Sequence, residues 1–256
     1  MSMRYGLLTA NIGSYSDARF VADLAADAEE AGWDGLFIWD HLAFVWGMPT
    51  ADPWVTLAAC AVRTSRILLG TGITPVPRRR VQNLALTVAT LDRLSGGRVV
   101  FGAGLGGNRA EYERFGESFS RARRIELLDE GLATLRRWWD GEEAGGVELK
   151  PLPVGRVPIW VGGNSEELLA QAARYDGWFA NSAGKNDMTM TPEDVAAGAA
   201  AVGDVEIVVH GYSRIASPSD YAAAGATWWL ESLNDLYGTP EELRALVRTG
   251  PPTLSA

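Results

Sequence analysis

The chemistry open to this chain is narrowed by its having only two histidines, one of which, His41, stands in Trp39-Asp40-His41-Leu42 directly after an apolar run. An imidazole can move a proton near neutral pH, and a carboxylate beside it is better suited to orienting the ring or its loop than to reacting. Two glycine clusters could receive something flat or anionic. Gly102, Gly104 and Gly107 spell G-x-G-x-x-G after Val99-Val100-Phe101, and Gly162-Gly163-Asn164-Ser165 follows a second apolar run and opens a helix. Backbone N–H groups at a helix start with a hydroxyl beside them form an anion site, so Gly162, Gly163, Asn164 and Ser165 are the expected phosphate cradle. The alternative is an ordinary glycine turn with Ser165 as N-cap. Arg78-Arg79-Arg80 could neutralise an acidic ligand or pair with neighbouring acids, and the two readings weigh evenly.

The first glycine pattern invites a dinucleotide-binding reading, which needs a second strand and an acid at its tip within one βαβ unit. The chain instead continues into a long amphipathic segment, with Ile125, Leu128, Leu132, Leu135 and Trp139 at spacings of three and four. Another architecture is required.

Short apolar runs alternate with amphipathic segments throughout. Strands are expected at 5–11, 35–40, 67–74, 99–105, 158–162, 177–181, 206–211 and 227–231, and helices at 17–31, 53–63, 80–94, 120–140, 166–175, 192–202, 219–224 and 240–249. Strands such as Ile159-Trp160-Val161 read as buried on both faces, and strand–helix alternation implies parallel pairing. Eight such units in 256 residues predict an α/β fold, a closed (β/α)8 TIM barrel forming one domain over 1–256, in preference to an open doubly wound sheet. Residues 142–155 form the one long irregular connection and read as a lid or hairpin. In a barrel the site lies where strands end, which selects Asn11, Asp40, His41, Gly72, Ile73, Thr74, Leu105, Gly106, Gly107, Gly162, Gly163, Asn164, Ser165, Asn181, Ser182, His210 and Glu231. Trp46, in the loop after His41, is the expected apolar wall for a substrate.

Composition excludes other classes. A formal net charge of −9 argues against nucleic acid or an anionic membrane as partner. One cysteine and two histidines exclude a disulfide framework and a closed Cys/His zinc site, and few strand-tip carboxylates disfavour a metal-dependent hydrolase, so no metal is expected. With neither a signal-peptide pattern nor a long apolar run, a cytoplasmic protein is expected.

The segments WDHL (39–42), DPWVTLAA (52–59), RILLGTGITPVPRRR (66–80), ATLDRLSGGRVVFGAGLGGNRAEYERFG (89–116), VPIWVGGNSEELLAQAARYDGWF (157–179) and GTPEEL (238–243) together resemble the bacterial luciferase-like flavin-dependent oxidoreductases. Those proteins are (β/α)8 barrels that bind FMN or the deazaflavin coenzyme F420. The resemblance implies His41 as catalytic residue, with Asp40, Gly72, Ile73, Leu105, Gly106, Gly162, Gly163, Asn164 and Ser165 against the cofactor. It implies Asn11, Trp46 and Lys185 for substrate, Lys185 as a holder of a phosphate or carboxylate. It further implies a cis peptide at Gly72-Ile73, with Ile73 as an apolar wedge behind the ring. Some deazaflavin-dependent dehydrogenases of this kind carry a glutamate where this chain has Gly107, and Glu111 would lie on the following helix. The expected activity is hydride transfer between a small-molecule substrate and coenzyme F420; an FMN-dependent monooxygenase and a flavin-binding barrel without turnover are the alternatives. A homodimer is compatible with the sequence, which specifies neither substrate nor oligomeric state.

Overall fold

The computed structural model describes residues 3–184, 187–235 and 238–252. Strand β1 (Arg4–Thr9) leads to α1 (Ala18–Glu30), β2 (Gly35–Ile38) to α2 (Pro53–Arg63), and the split third stave, β3 (Leu68–Thr71) and β4 (Thr74–Pro75), to α3 (Val81–Ser95). Then come β5 (Val99–Gly104), a short α4 (Ala110–Glu113) and the long α5 (Arg121–Trp139). The last four units are β6 (Ile159–Gly162) with α6 (Glu166–Ala172), β7 (Gly177–Ala180) with α7 (Pro192–Val202), β8 (Glu206–Gly211) with α8 (Pro218–Ala223), and β9 (Trp228–Leu233) with α9 (Pro240–Arg248). Neighbouring strands pair parallel in the order β3-β2-β1-β9-β8-β7-β6-β5-β4, and β3 also pairs with β5 through Leu69↔Val99 and Gly70↔Val100. That pairing closes the ring. The expected (β/α)8 barrel is therefore observed, with the third stave broken at a cis Gly72-Ile73 peptide. Among the described residues no helix is long and apolar enough to cross a membrane.

Local chemistry explains the helix starts. Asp52 accepts from the N–H groups of Trp54 and Val55 with Pro53 at the first helical position, and Thr191 and Thr239 form capping boxes with Asp194 and Glu242. Alternation along the strands sends one set of side chains between barrel and helices. The other set, Leu8, Phe37, Val100, Trp160, Phe179, Val208, Trp228 and Leu230, fills the barrel. Phe37, Trp160 and Trp228 meet pairwise with ring centroids 5.0–5.9 Å apart, and Arg4 lies over Trp228 at 4.3 Å, so the interior is a packed plug beneath the site.

The 142–155 segment departs from expectation. It joins the C-terminal end of α5 to the start of β6 and therefore runs across the face where strands begin, opposite the strand ends that carry the site. Ala144 and Val147 pair in a tight antiparallel turn, and the Val154 N–H donates to Asp92 Oδ2 at 2.8 Å, fastening the segment beneath the barrel. The hairpin is present, but the segment is no lid.

The glycines of β5 are set by contact. A Cβ on Gly102 would stand 1.9 Å from the Thr71 carbonyl oxygen, a backbone atom that cannot swing away, whereas one on Gly107 would meet nothing within 4 Å. Gly102→Ala should therefore destabilise the fold by ~3 kcal/mol or more, and Gly107→Ala by under ~1 kcal/mol. Urea unfolding of the two variants checks this; equal losses would contradict the packing described.

Candidate active site

The strand ends open into a cavity of about 950 Å3. His41, one loop residue beyond Asp40 at the end of the second stave, lines it, with its ring edge-on to Trp39 at 5.7 Å and tilted toward Trp46 at 6.0 Å. Its Nδ1 lies 2.8 Å from Oε1 of Glu111 on α4, and the same oxygen accepts the Leu42 N–H at 3.0 Å. The other Glu111 oxygen accepts from Arg78, which also donates to the Asp40 carbonyl. Arg79 grips the Asp40 carboxylate with two nitrogens, Nε at 2.9 Å and Nη2 at 2.8 Å. Burial works to raise the Glu111 carboxyl, but the hydrogen bond and charge of His41, the charge of Arg78 and the Leu42 N–H together hold it below the usual carboxylate range. Glu111 is consequently ionised at neutral pH.

The basic triplet is thus largely internal. Arg78 and Arg79 serve Glu111, Asp40 and Asp52, and only Arg80 is exposed. Sequence reasoning placed Glu111 on the helix after Gly107 without seeing that this helix is a short turn. Asn108 Oδ1 accepts the Ala110 N–H at 2.9 Å and starts that turn, which carries Glu111 back over the strand ends. An Asn immediately after a glycine run was the available signal.

The opposite wall is built around Ile73. A Cβ on Gly104 would lie 2.8 Å from Ile73 Cγ2 and one on Gly162 2.9 Å from Cγ1, so these two glycines make the space that the Ile73 side chain occupies. Gly72, Ile73, Leu105, Gly106, Gly107, Gly162 and Gly163 all line the cavity. The Leu105 carbonyl accepts from Tyr112 and the Gly106 carbonyl from Arg124. Arg124 is 7% exposed, stacks over Phe119 at 3.8 Å and also lines the cavity, yet its buried Nε has no partner among the described residues. Arg121 lines the same end and donates to Ser165 Oγ at 2.8 Å, so Ser165 is engaged there and does not cap α6.

The remaining expected residues sit differently. Asn164 exchanges hydrogen bonds with the Asn181 backbone at 2.9 and 3.0 Å and stands outside the lining. Asn11 is fully buried; Nδ2 donates to the carbonyls of His41 and Ala51 at 2.9 Å each, and Oδ1 accepts the His41 N–H at 3.2 Å. Its amide is therefore spent on holding the His41 peptide, which puts its influence on His41 and not on a substrate directly. Trp46, expected as an apolar wall, is 45% exposed with its ring 6.0 Å from that of His41 and stands outside the lining. Lys185 lies outside the described residues. Glu231, read from the sequence as a strand tip, lies within β9 and accepts from Trp229 and the Ser213 N–H at 3.0 Å.

His210, at the end of β8, is the second cavity histidine; its Nδ1 is 3.4 Å from Ser232 Oγ. Burial pushes its imidazole down to about 4. The folded protein therefore keeps the ring neutral, while the unfolded chain takes up the proton below about 6.5. Stability associated with His210 is complete above that value and lost as pH falls toward about 4. His210→Gln should flatten the decline of unfolding free energy between pH 6.5 and 4. Urea unfolding at a series of pH values checks it, an unchanged slope counting against a neutral His210.

Comparison with known proteins agrees with this geometry. The luciferase-like monooxygenase family model matches residues 3–249. The chain is 29% identical over 216 residues to a 5,10-methylenetetrahydromethanopterin reductase of Methanolobus tindarius, covering 80% of this chain and 63% of that protein. It is 33% identical over 204 residues to an F420-dependent hydroxymycolic acid dehydrogenase of Mycobacterium tuberculosis, covering 72% and 54%. It thus spans less than two thirds of the length of these curated relatives. Among solved structures, a monooxygenase from Streptomyces bottropensis superposes with a TM-score of 0.75 at 20% identity, covering 96% of this chain and 97% of that one, a likeness of fold. An F420-dependent secondary alcohol dehydrogenase in complex with an F420–acetone adduct gives 0.73 at 17%, covering 91% and 93%. A matched span running through every stave of the barrel places the chain in the luciferase-like monooxygenase family.

Proposed function

We propose that this chain is an oxidoreductase that transfers hydride between a small organic substrate and coenzyme F420, with His41 as the proton-transfer residue. The observation that carries the reading is a glycine-walled cavity in which His41 is already bonded to the ionised Glu111. The residues present fit a flavin or deazaflavin nucleotide. Gly104, Leu105, Gly106, Gly107, Gly162 and Gly163 leave the wall around Ile73 bare enough for a flat ring, and the orphaned Arg124 Nε with nearby Arg121 suits a phosphate. When bound, the deazaflavin supplies the two-electron hydride chemistry.

The chain's own residues do the rest. In substrate oxidation His41 accepts the hydroxyl proton, and the Glu111 carboxylate stabilises the imidazolium so formed; in reduction the proton returns. Trp39 and Phe179 supply apolar wall that keeps water from the reacting atoms. The preference for F420 rests on relatives described as F420-dependent dehydrogenases, since Arg78 and Arg79 are engaged internally and no longer argue for an acidic cofactor tail. FMN is the alternative, as a solved neighbour with a TM-score of 0.64 is a type II Baeyer-Villiger monooxygenase in complex with FMN.

Titration with coenzyme F420 and, separately, FMN tests the reading optically. Micromolar binding of F420 alone is expected; binding of FMN alone would assign the monooxygenase alternative, and binding of neither would overturn both. Within an F420-binding protein, a panel of small alcohols and ketones should reveal turnover. His41→Asn should lower it by ~10²-fold or more while cofactor affinity changes only a few fold. F420 binding without turnover of any panel member would favour the flavin-binding barrel without activity.

A further inference from the structure

The Glu111 carboxylate is enclosed, with its side chain 1% exposed. Both oxygens are committed, Oε1 to His41 Nδ1 and the Leu42 N–H, Oε2 to Arg78. With three of its acceptor sites filled and its side chain enclosed, it is held against His41 and Arg78 and is not offered to a substrate as an acid at position 107 would be, where this chain has glycine. What it can do follows from hydrogen-bond inventory. An ionised carboxylate only accepts, so the His41 nitrogen facing it must carry the hydrogen. In the neutral ring, Nε2 is then the unprotonated nitrogen. The contact is rigidly sited. Arg78, 4% exposed, spans Glu111 and Asp40, Arg79 fixes Asp40, and Asn11 holds the His41 peptide from the other side.

We propose that Glu111 is the positioning residue for proton transfer at His41: its carboxylate fixes the Nδ1–H tautomer, so that neutral His41 presents Nε2 to the cavity as the proton acceptor. The proposal rests on His41 being the proton-transfer residue. In substrate oxidation the O–H bond breaks and an Nε2–H bond forms, while the Nδ1–H remains on the ring within the Glu111 hydrogen bond; a bound deazaflavin would supply the two-electron acceptor for the hydride given up by the carbon. A carboxylate serving only to neutralise Arg78 would not need an imidazole on its other oxygen, nor would it influence which ring nitrogen bears hydrogen.

The chain contains two histidines, so imidazole 15N–1H correlation spectra of the whole protein hold two rings, assigned with His41→Asn and His210→Gln. At a pH where the ring is neutral, His41 should appear as the Nδ1–H tautomer. Glu111→Gln keeps an accepting oxygen and should preserve that tautomer with a loss of kcat of ~10-fold or less. Glu111→Ala should move the ring predominantly to Nε2–H and lower kcat by ~10²-fold, with KM and F420 affinity within about threefold. A wild-type spectrum showing Nε2–H, or a Glu111→Ala spectrum unchanged from wild type, would overturn the proposal; the first result decides even where the alanine variant does not fold. Full turnover in His41→Asn would instead sink the functional reading, and the spectra keep the two failures apart.

Discussion

The arrangement of the mouth depends on one network that runs from His41 through the buried charges of Glu111, Arg78 and Asp40 to Arg79. The side chains of Glu111 and Asp40 are each 1% exposed and that of Arg78 4%. Charges so far from water persist only when each is matched, and removing one partner leaves its neighbour uncompensated at a cost of about 3–5 kcal/mol. That requirement gives the network its directing power. Asp40 and His41 follow β2, Arg78 follows β4, and Glu111 belongs to α4 after β5, so the pairing ties three successive strand-to-helix loops into one piece. Loops on a barrel rim are ordinarily the freest part of the fold; here the pairing fixes their mutual positions.

Below the rim the constraint changes from charge to volume. The Phe37, Trp160 and Trp228 plug fills the barrel and leaves no room for a side chain on the strands beside it: a Cβ on Gly35 would stand 2.7 Å from the Phe37 ring. Above the plug the same economy of side chains leaves a slot. Ile73 enters the space freed by Gly104 and Gly162, while Gly107 faces open space. Glycine thus does two jobs along β5 and the loop that follows it, allowing close packing at Gly102 and leaving room at Gly107.

The barrel was legible because the alternation of apolar strands and amphipathic helices is a property of consecutive residues. His41, Gly72-Ile73 and the glycine walls were legible because they sit at strand ends, where topology alone places them on the rim. The charge chain was not, since it joins residues 33 to 70 positions apart through loops whose path depends on one another. Arg78 and Arg79 could be read equally as cations for an acidic ligand or as partners of nearby acids; which acids, and that Asp40 and Glu111 would make their burial tolerable, the sequence does not disclose. Asn11 and Asn164 show a related limit. Their position at strand ends was read correctly, but their amides satisfy backbone groups of adjoining loops, a use that polarity alone does not reveal. The 142–155 connection was read as a lid or a hairpin, and only the hairpin is found, because irregular sequence does not disclose which face of the barrel it crosses.

The two histidines show how surroundings divide labour within one cavity. His41 stands against a carboxylate that is itself anchored by an arginine, so a proton arriving on its ring meets a fixed negative charge. His210 stands beside a hydroxyl and the Phe179 ring, 5.6 Å away, and burial keeps it neutral to about 4. An imidazole in the second setting can donate or accept a hydrogen bond but is poorly placed to hold a transferred proton. The residue type is the same in both places, and the difference lies in where the chain sends its carboxylates. Glu111 is delivered to His41 by a single short turn after a glycine run, and that delivery makes one histidine of this cavity a candidate for chemistry and leaves the other as polar wall.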